Sequence, residues 1–216
     1  MPRDTVIFDL DGTLLDTLQD IADAGNQLLA HHDRPARPVD DYRYLAGQGV
    51  RSLVAEALPD LQGDPLDEAV AWYRRAYAAL DDASAGPYPG IMDMLDALAE
   101  RGATLAVLSN KPHDAMVRVI DRFLGAQRFA AVLGHQPPTP LKPDPTPGIK
   151  LLRELDVAAD RCVYVGDTAA DMQTGTALKL HIVGVTWGFR AEAELRQTGA
   201  DVIIHEPREL LAQLVQ

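Results

Sequence analysis

From about Ala85 to the C-terminus, short apolar runs alternate with segments of helical spacing, and few folds can accommodate that pattern. The apolar runs cover residues 104–108, 130–133, 162–165, 181–185 and 202–204, and the helical spacing falls at 91–100, 115–124, 148–155, 191–197 and 208–215. Runs that are apolar at consecutive positions suit strands covered on both faces. The expected fold class is therefore α/β, a Rossmann-like parallel sheet with helices on both faces. Thr5, Val6, Ile7 and Phe8 form another such run, yet the next does not begin until Thr104. An insertion fills the gap. Ile21, Leu28 and Leu29, then Leu53, Val54 and Leu58, then Val70, Trp72, Tyr73 and Leu80 recur at helical intervals. Residues 16–84 thus read as a helical cap domain inserted into a core of 1–15 and 85–216. Small residues, Gly86 and Pro87 suit a hinge at the second boundary.

Composition narrows the partners. A chain of 216 residues, 47% hydrophobic, can bury a substantial core, while a formal charge of −12 opposes binding to a phosphate backbone. No nucleic-acid partner is expected. The single cysteine, Cys162, sits in an apolar run and cannot form an internal disulfide. Met1 to Asp4 lead straight into a strand pattern without a signal-peptide apolar region, and no stretch approaches the roughly eighteen apolar residues of a membrane span. The expectation is a soluble, cytoplasmic protein without a membrane partner, either a monomer or a homodimer.

In open α/β sheets, ligands bind beyond the carboxyl ends of the strands, so the polar residues that end each run carry the chemistry. The first run ends in Asp9-Leu10-Asp11-Gly12-Thr13, the second in Ser109-Asn110-Lys111, and the run at 162–165 in Gly166-Asp167-Thr168-Ala169-Ala170-Asp171. Lys142, in Leu141-Lys142-Pro143, follows another run and brings a positive charge to the same edge. Converging carboxylates repel one another, and a hard divalent cation with oxygen ligands resolves this; magnesium is the expected ion. With a phosphate so neutralised, Asp9 can attack phosphorus. Asp11 can protonate the leaving oxygen and then activate water. Gly12 permits a tight turn whose backbone N–H groups can receive phosphate oxygens, and the Ser109 hydroxyl can donate another hydrogen bond.

These four motifs, in this order, resemble the haloacid dehalogenase-like superfamily of phosphohydrolases over essentially the whole chain. Tyr88-Pro89-Gly90, Ser109-Asn110-Lys111-Pro112, Gly184-Val185-Thr186-Trp187-Gly188 and, in the insertion, Gly47-Gln48-Gly49-Val50-Arg51 are most similar to phosphoglycolate phosphatases. The resemblance implies Asp9 as nucleophile and Asp11 as acid/base, with Gly12, Thr13, Ser109, Asn110 and Lys142 at the phosphate. It further implies magnesium held by Asp9, the backbone carbonyl of Asp11 and Asp167, with Asp171 nearby. The implied substrate is a small phosphomonoester such as 2-phosphoglycolate. Lys179 departs from the pattern, standing where relatives commonly carry Gly, and so does the Pro-rich stretch 136–140.

Other residues admit two readings. Arg51 can clamp a substrate carboxylate with its planar fork, or be a solvated surface cation. Asp16 and Thr17 are read as hinge or helix-cap residues, and Trp72 as cap packing. None of the six histidines is assigned to metal. The same acids also serve a sugar phosphomutase, and a non-catalytic phosphoester sensor is a rival on the same fold.

Overall fold

The computed structural model describes residues 3–214. In chain order, β1 (Thr5–Phe8) leads through a short β2 (Leu15–Asp16) into four helices: α1 (Leu18–His31), α2 (Tyr42–Leu45), α3 (Val50–Ala57) and α4 (Gly63–Ala79). After β3 (Gly86–Pro87), helices and strands alternate: α5 (Ile91–Glu100), β4 (Thr104–Pro112), α6 (His113–Phe123), β5 (Ala131–His135), α7 (Thr146–Glu154) and β6 (Cys162–Gly166). Then come α8 (Ala169–Leu178), β7 (His181–Val185), α9 (Glu192–Thr198) and β8 (Val202–Ile204). The helix expected over 208–215 is a 3₁₀ turn, Pro207–Ala212, and Val215 lies outside the described residues. Among the described residues, no helix is long and apolar enough to cross a membrane.

The sheet runs β5-β4-β1-β6-β7-β8, with every pair parallel. Consecutive apolar residues serve both of its faces, because side chains alternate across a strand. Val6, Phe8, Leu105, Val107, Val163 and Val165 pack with Leu95 of α5 and Ile120 of α6. Ile7, Ala106, Leu108, Cys162 and Tyr164 point the other way, onto Leu151 of α7 and Leu178 of α8. From β1 the chain steps outward to β4 and β5, then crosses to β6 on the other side. The strand order reverses at β1, which opens a crevice at its carboxyl end.

Helices α1–α4 bury a cluster of their own, centred on Leu28, Tyr42, Val54 and Tyr73. Trp72 packs at its edge and stacks on the His31 ring, with centroids 4.8 Å apart. Where the chain leaves and re-enters the core, β2 and β3 pair antiparallel, Leu15 against Pro87 and Asp16 against Gly86. The two layers are also tied by polar contacts. Arg43 of α2 donates to the Gly188 carbonyl at 2.8 Å, and Arg190 donates to the Ala46 carbonyl at 3.1 Å. Phe189, from the loop after β7, inserts its ring into the cap cluster. At the end of α8, Lys179 adopts the left-handed conformation, φ 58°, that closes helices and that a lysine enters at some cost.

Candidate active site

The crevice beyond β1 gathers most of the polar residues picked out above. Oxygens of Asp9, Asp167 and Asp171 all lie within 4.8 Å of one another, and all three residues are buried. Lys142 reaches this group from the loop between β5 and α7. Its Nζ donates to Asp171 Oδ1 at 2.7 Å and to the Leu108 carbonyl at 2.9 Å, and lies 2.9 Å from Asp9 Oδ1. That last contact is an ion pair without hydrogen-bond alignment, so Asp9 Oδ1 is buried with no hydrogen-bond partner among the described residues.

The charge balance of this cluster fits a cation. Burial first, then the Asp171 carboxylate, push Asp9 above the ordinary carboxylate range against the opposing pull of Lys142. Asp167 is pushed well above it, by burial and then by Asp171 and Asp9. For Lys142, burial works against the ammonium, but Asp171 and Asp9 outweigh it and hold the charge firmly. Three buried carboxylates share one ammonium. A divalent ion among them would complete the neutralisation, and the bare Asp9 oxygen offers it a hard ligand. Asp171 differs from its neighbours: Lys142 and the Tyr164 hydroxyl, 3.2 Å away, occupy one oxygen, and the Thr168 N–H and hydroxyl occupy the other at 3.0 and 2.7 Å. The Thr168 N–H bond is one half of the capping box that starts α8; in the other half the Asp171 N–H donates to the Thr168 hydroxyl.

Three residues expected at the phosphate make hydrogen bonds within the protein. The Thr13 hydroxyl donates to Asp167 Oδ1 at 2.7 Å, and the Phe189 N–H holds Oδ2 at 2.8 Å. The indole of Trp187 in turn donates to the Thr13 carbonyl. Asn110 was expected at the phosphate, but its amide is committed to the Lys142 loop: it accepts from the Lys142 N–H at 2.7 Å and donates to the Lys142 and Gly47 carbonyls. The Gly12 N–H is taken by the Leu15 carbonyl at 2.9 Å, which closes the turn.

Gly12 itself is indispensable to this packing. Its φ is +86°, and a Cβ there would stand 2.3 Å from Asp167 Oδ2. Gly12→Ala should displace the Asp167 carboxylate and lower turnover by about 100-fold or more, since misplacement by an ångström costs that much. Steady-state kinetics and melting with and without magnesium check it; wild-type values in both would show that the close contact is dispensable.

Beside Asp9 lies a cavity of about 180 Å³ between core and cap, lined by Asp9, Asp11, Ser109 and Lys111 from the core and by Tyr73 and Tyr77 from α4. Asp11 does not join the three-carboxylate group. Its Oδ1 accepts from the Thr17 hydroxyl and from Lys111 Nζ, both at 2.9 Å. Thr17, read as a helix cap, therefore uses its hydroxyl to hold Asp11. Arg51 is not brought to the site: it lies half-exposed on α3, ion-paired with Asp67 of α4, outside the cavity lining.

The profile of the haloacid dehalogenase-like hydrolases matches residues 6–185, which includes every motif of the crevice. The chain belongs to that family. Relatives similar to it over nearly their whole length carry the name phosphoglycolate phosphatase. The chain is 32% identical over 211 residues to a phosphoglycolate phosphatase of Xylella fastidiosa, an alignment covering 97% of this chain and 91% of that protein. It is 32% identical over 217 residues to the plasmid phosphoglycolate phosphatase of Cupriavidus necator, covering 99% and 94%. A crystal structure from Lactobacillus delbrueckii subsp. bulgaricus, provisionally described as a phosphoglycolate phosphatase, superposes with a TM-score of 0.93 at 28% identity. That match covers 100% of this chain and 99% of the other.

Sequence reasoning gave no role to Lys111 or Tyr77, although both are buried against the cavity. The available signal was their position: Lys111 closes the second motif, and Tyr77 lies four residues after Tyr73 on the same helix face.

Proposed function

We propose that this hydrolase uses magnesium to cleave a small phosphomonoester, 2-phosphoglycolate foremost, through an aspartyl phosphate on Asp9. The observation that carries the reading is the buried group of Asp9, Asp167 and Asp171 with Lys142, whose Asp9 lines a cavity together with Asp11. The ion would be held by Asp9, Asp167 and the Asp11 backbone carbonyl, with Asp171 behind them, and would supply charge neutralisation of the phosphate.

The chain's own residues then account for both steps. An Asp9 carboxylate oxygen attacks phosphorus, the bond from phosphorus to the ester oxygen breaks, and Asp11 gives that oxygen its proton. Asp11, now a carboxylate, takes a proton from water; the resulting hydroxide attacks phosphorus, and the bond to Asp9 breaks to release phosphate. Lys142 and the Ser109 hydroxyl steady the phosphoryl oxygens. Two N–H groups of the turn, those of Leu10 and Asp11, have no acceptor among the described residues and suit the same task. We place the boundary of the cap, residues 16–84, at the β2–β3 pair, where closing motions would pivot.

The test is phosphate release from a panel that includes 2-phosphoglycolate and sugar phosphates, with magnesium or with EDTA. Metal-dependent release, highest on the short acidic esters, is expected. Isomerised sugar phosphate with little free phosphate would replace this reading by the mutase, and binding without turnover would replace it by the sensor.

A further inference from the structure

Lys111 is an ammonium enclosed by protein, with one hydrogen-bonding direction left open. It is 8% exposed, and its Nζ donates to Asp11 Oδ1 of the core and to the Tyr77 hydroxyl of the cap, both at 2.9 Å. Its Nζ also lies 4.7 Å from the Tyr77 ring centre. An ammonium has three donors, and the described residues accept two. Tyr77 is in the same position. Its oxygen receives the Lys111 proton, while its own O–H has no acceptor among the described residues. Burial, partly offset by Lys111, raises this phenol above the ordinary tyrosine range, so the proton is retained.

Both residues line the cavity that holds Asp9 and Ser109. Two unused donors, one charged, therefore face the space beside the reacting phosphate. The lining also includes Arg74 from the cap and, from the core, Asp114 and Arg118, the last 3.7 Å from the Asp82 carboxylate. An acceptor with two oxygens and a negative charge satisfies this arrangement better than a hydroxyl or a methyl group.

We infer that Lys111 and Tyr77 form the subsite that reads a carboxylate on the non-transferred part of the substrate, making Lys111 the specificity-determining residue for short carboxylated phosphomonoesters. The inference rests on the phosphatase reading and extends it to substrate choice. Because one partner belongs to the core and the other to the cap, the site is complete only when the two meet. A carboxylated ester is thereby favoured in the closed arrangement, and an ester lacking the group gains nothing from it.

The experiment compares matched pairs. Wild type, Lys111→Met and Tyr77→Phe are assayed with magnesium on 2-phosphoglycolate and on ethyl phosphate, which lacks the carboxylate. Wild type is expected to favour 2-phosphoglycolate in kcat/KM. Lys111→Met should reduce that preference by roughly 10- to 100-fold, the worth of one charge-assisted hydrogen bond, and Tyr77→Phe by a smaller factor. Equal losses on both esters would overturn the proposal, because Lys111 would then act only by positioning Asp11. A wild type without preference overturns it too. Calorimetric titration with 3-phosphonopropionate and propylphosphonate, which are not hydrolysed, gives the same comparison at equilibrium. If wild type turns over neither ester, the phosphatase reading fails, and this titration still decides whether Lys111 selects the carboxylate. Should Lys111→Met not fold, Tyr77→Phe carries both measurements.

Discussion

Asp9→Asn is expected to abolish turnover, with a loss of at least about 10⁴-fold on every ester, because an amide oxygen cannot form the acyl phosphate. The fold should survive the change. Asp9 is one of three crowded carboxylates, and its Oδ1 makes no hydrogen bond that an amide would forfeit. Removing one negative charge relieves repulsion with Asp171 and Asp167, so the melting temperature in EDTA should not fall. The response to magnesium should differ instead. A ligand that binds only the folded state raises stability with its concentration, and the variant, short of one charged oxygen, should show a smaller rise than wild type. An inactive enzyme of undiminished stability with a weakened magnesium response is the complete signature. Residual turnover above about 10⁻² of wild type would remove Asp9 as nucleophile, and with it the proposed pathway.

Much of this site was legible because the fold converts sequence position into place. A polar residue directly after an apolar run must lie at the carboxyl edge of a parallel sheet, and Asp9 and Asp167 obey that rule; Lys142 reaches the same edge from the longer loop between β5 and α7. Their assembly follows from β1 standing between β4 and β6. Side-chain direction was not legible. Thr13 and Asn110 lie in the motifs as expected, yet their hydrogen bonds go to Asp167 and to the Lys142 loop, a choice made by neighbours distant in the chain. Strand β4 was expected to stop at Leu108 because Ser109, Asn110 and Lys111 are polar. It continues to Pro112, with a register shift, and buries all three. Polarity ended the apolar pattern there without ending the strand.

The cap was the least readable part for the same reason. Its helices announced themselves through Leu28, Val54 and Tyr73, but their spacing says nothing of how they sit over the core. Arg51 and Tyr77 illustrate the consequence. An arginine beside a Gly-rich segment looked suited to a substrate, and the rotation of α3 turns it outward to Asp67. A tyrosine with ordinary core spacing instead brings its hydroxyl to Lys111, 34 residues away in sequence. Contacts between an insertion and its host depend on docking, which no local pattern encodes.

Lys142→Met should have the largest effect on stability, because it tests the charge balance from the other side. The ammonium is 3% exposed and stands between Asp9 and Asp171, so its loss leaves two buried carboxylates without compensation and the Leu108 carbonyl without its donor. Breaking a buried ion pair from one side costs about 3–5 kcal/mol. For a chain of this size that corresponds to a fall of roughly 6–20 °C in melting temperature. Magnesium should restore part of it, since a cation among Asp9, Asp167 and Asp171 supplies some of the missing positive charge. Turnover should nevertheless stay at least about 100-fold below wild type at saturating magnesium, because the phosphoryl group has lost a preorganised cation that the metal cannot replace in position. Lys142→Arg is not a rescue: the planar guanidinium cannot take the place of a compact ammonium held by Asp171 and Leu108 in a closed pocket. If Lys142→Met melted with wild type in EDTA, the carboxylates would have to be neutral without it, and the case for a cation at this site would lose its electrostatic basis.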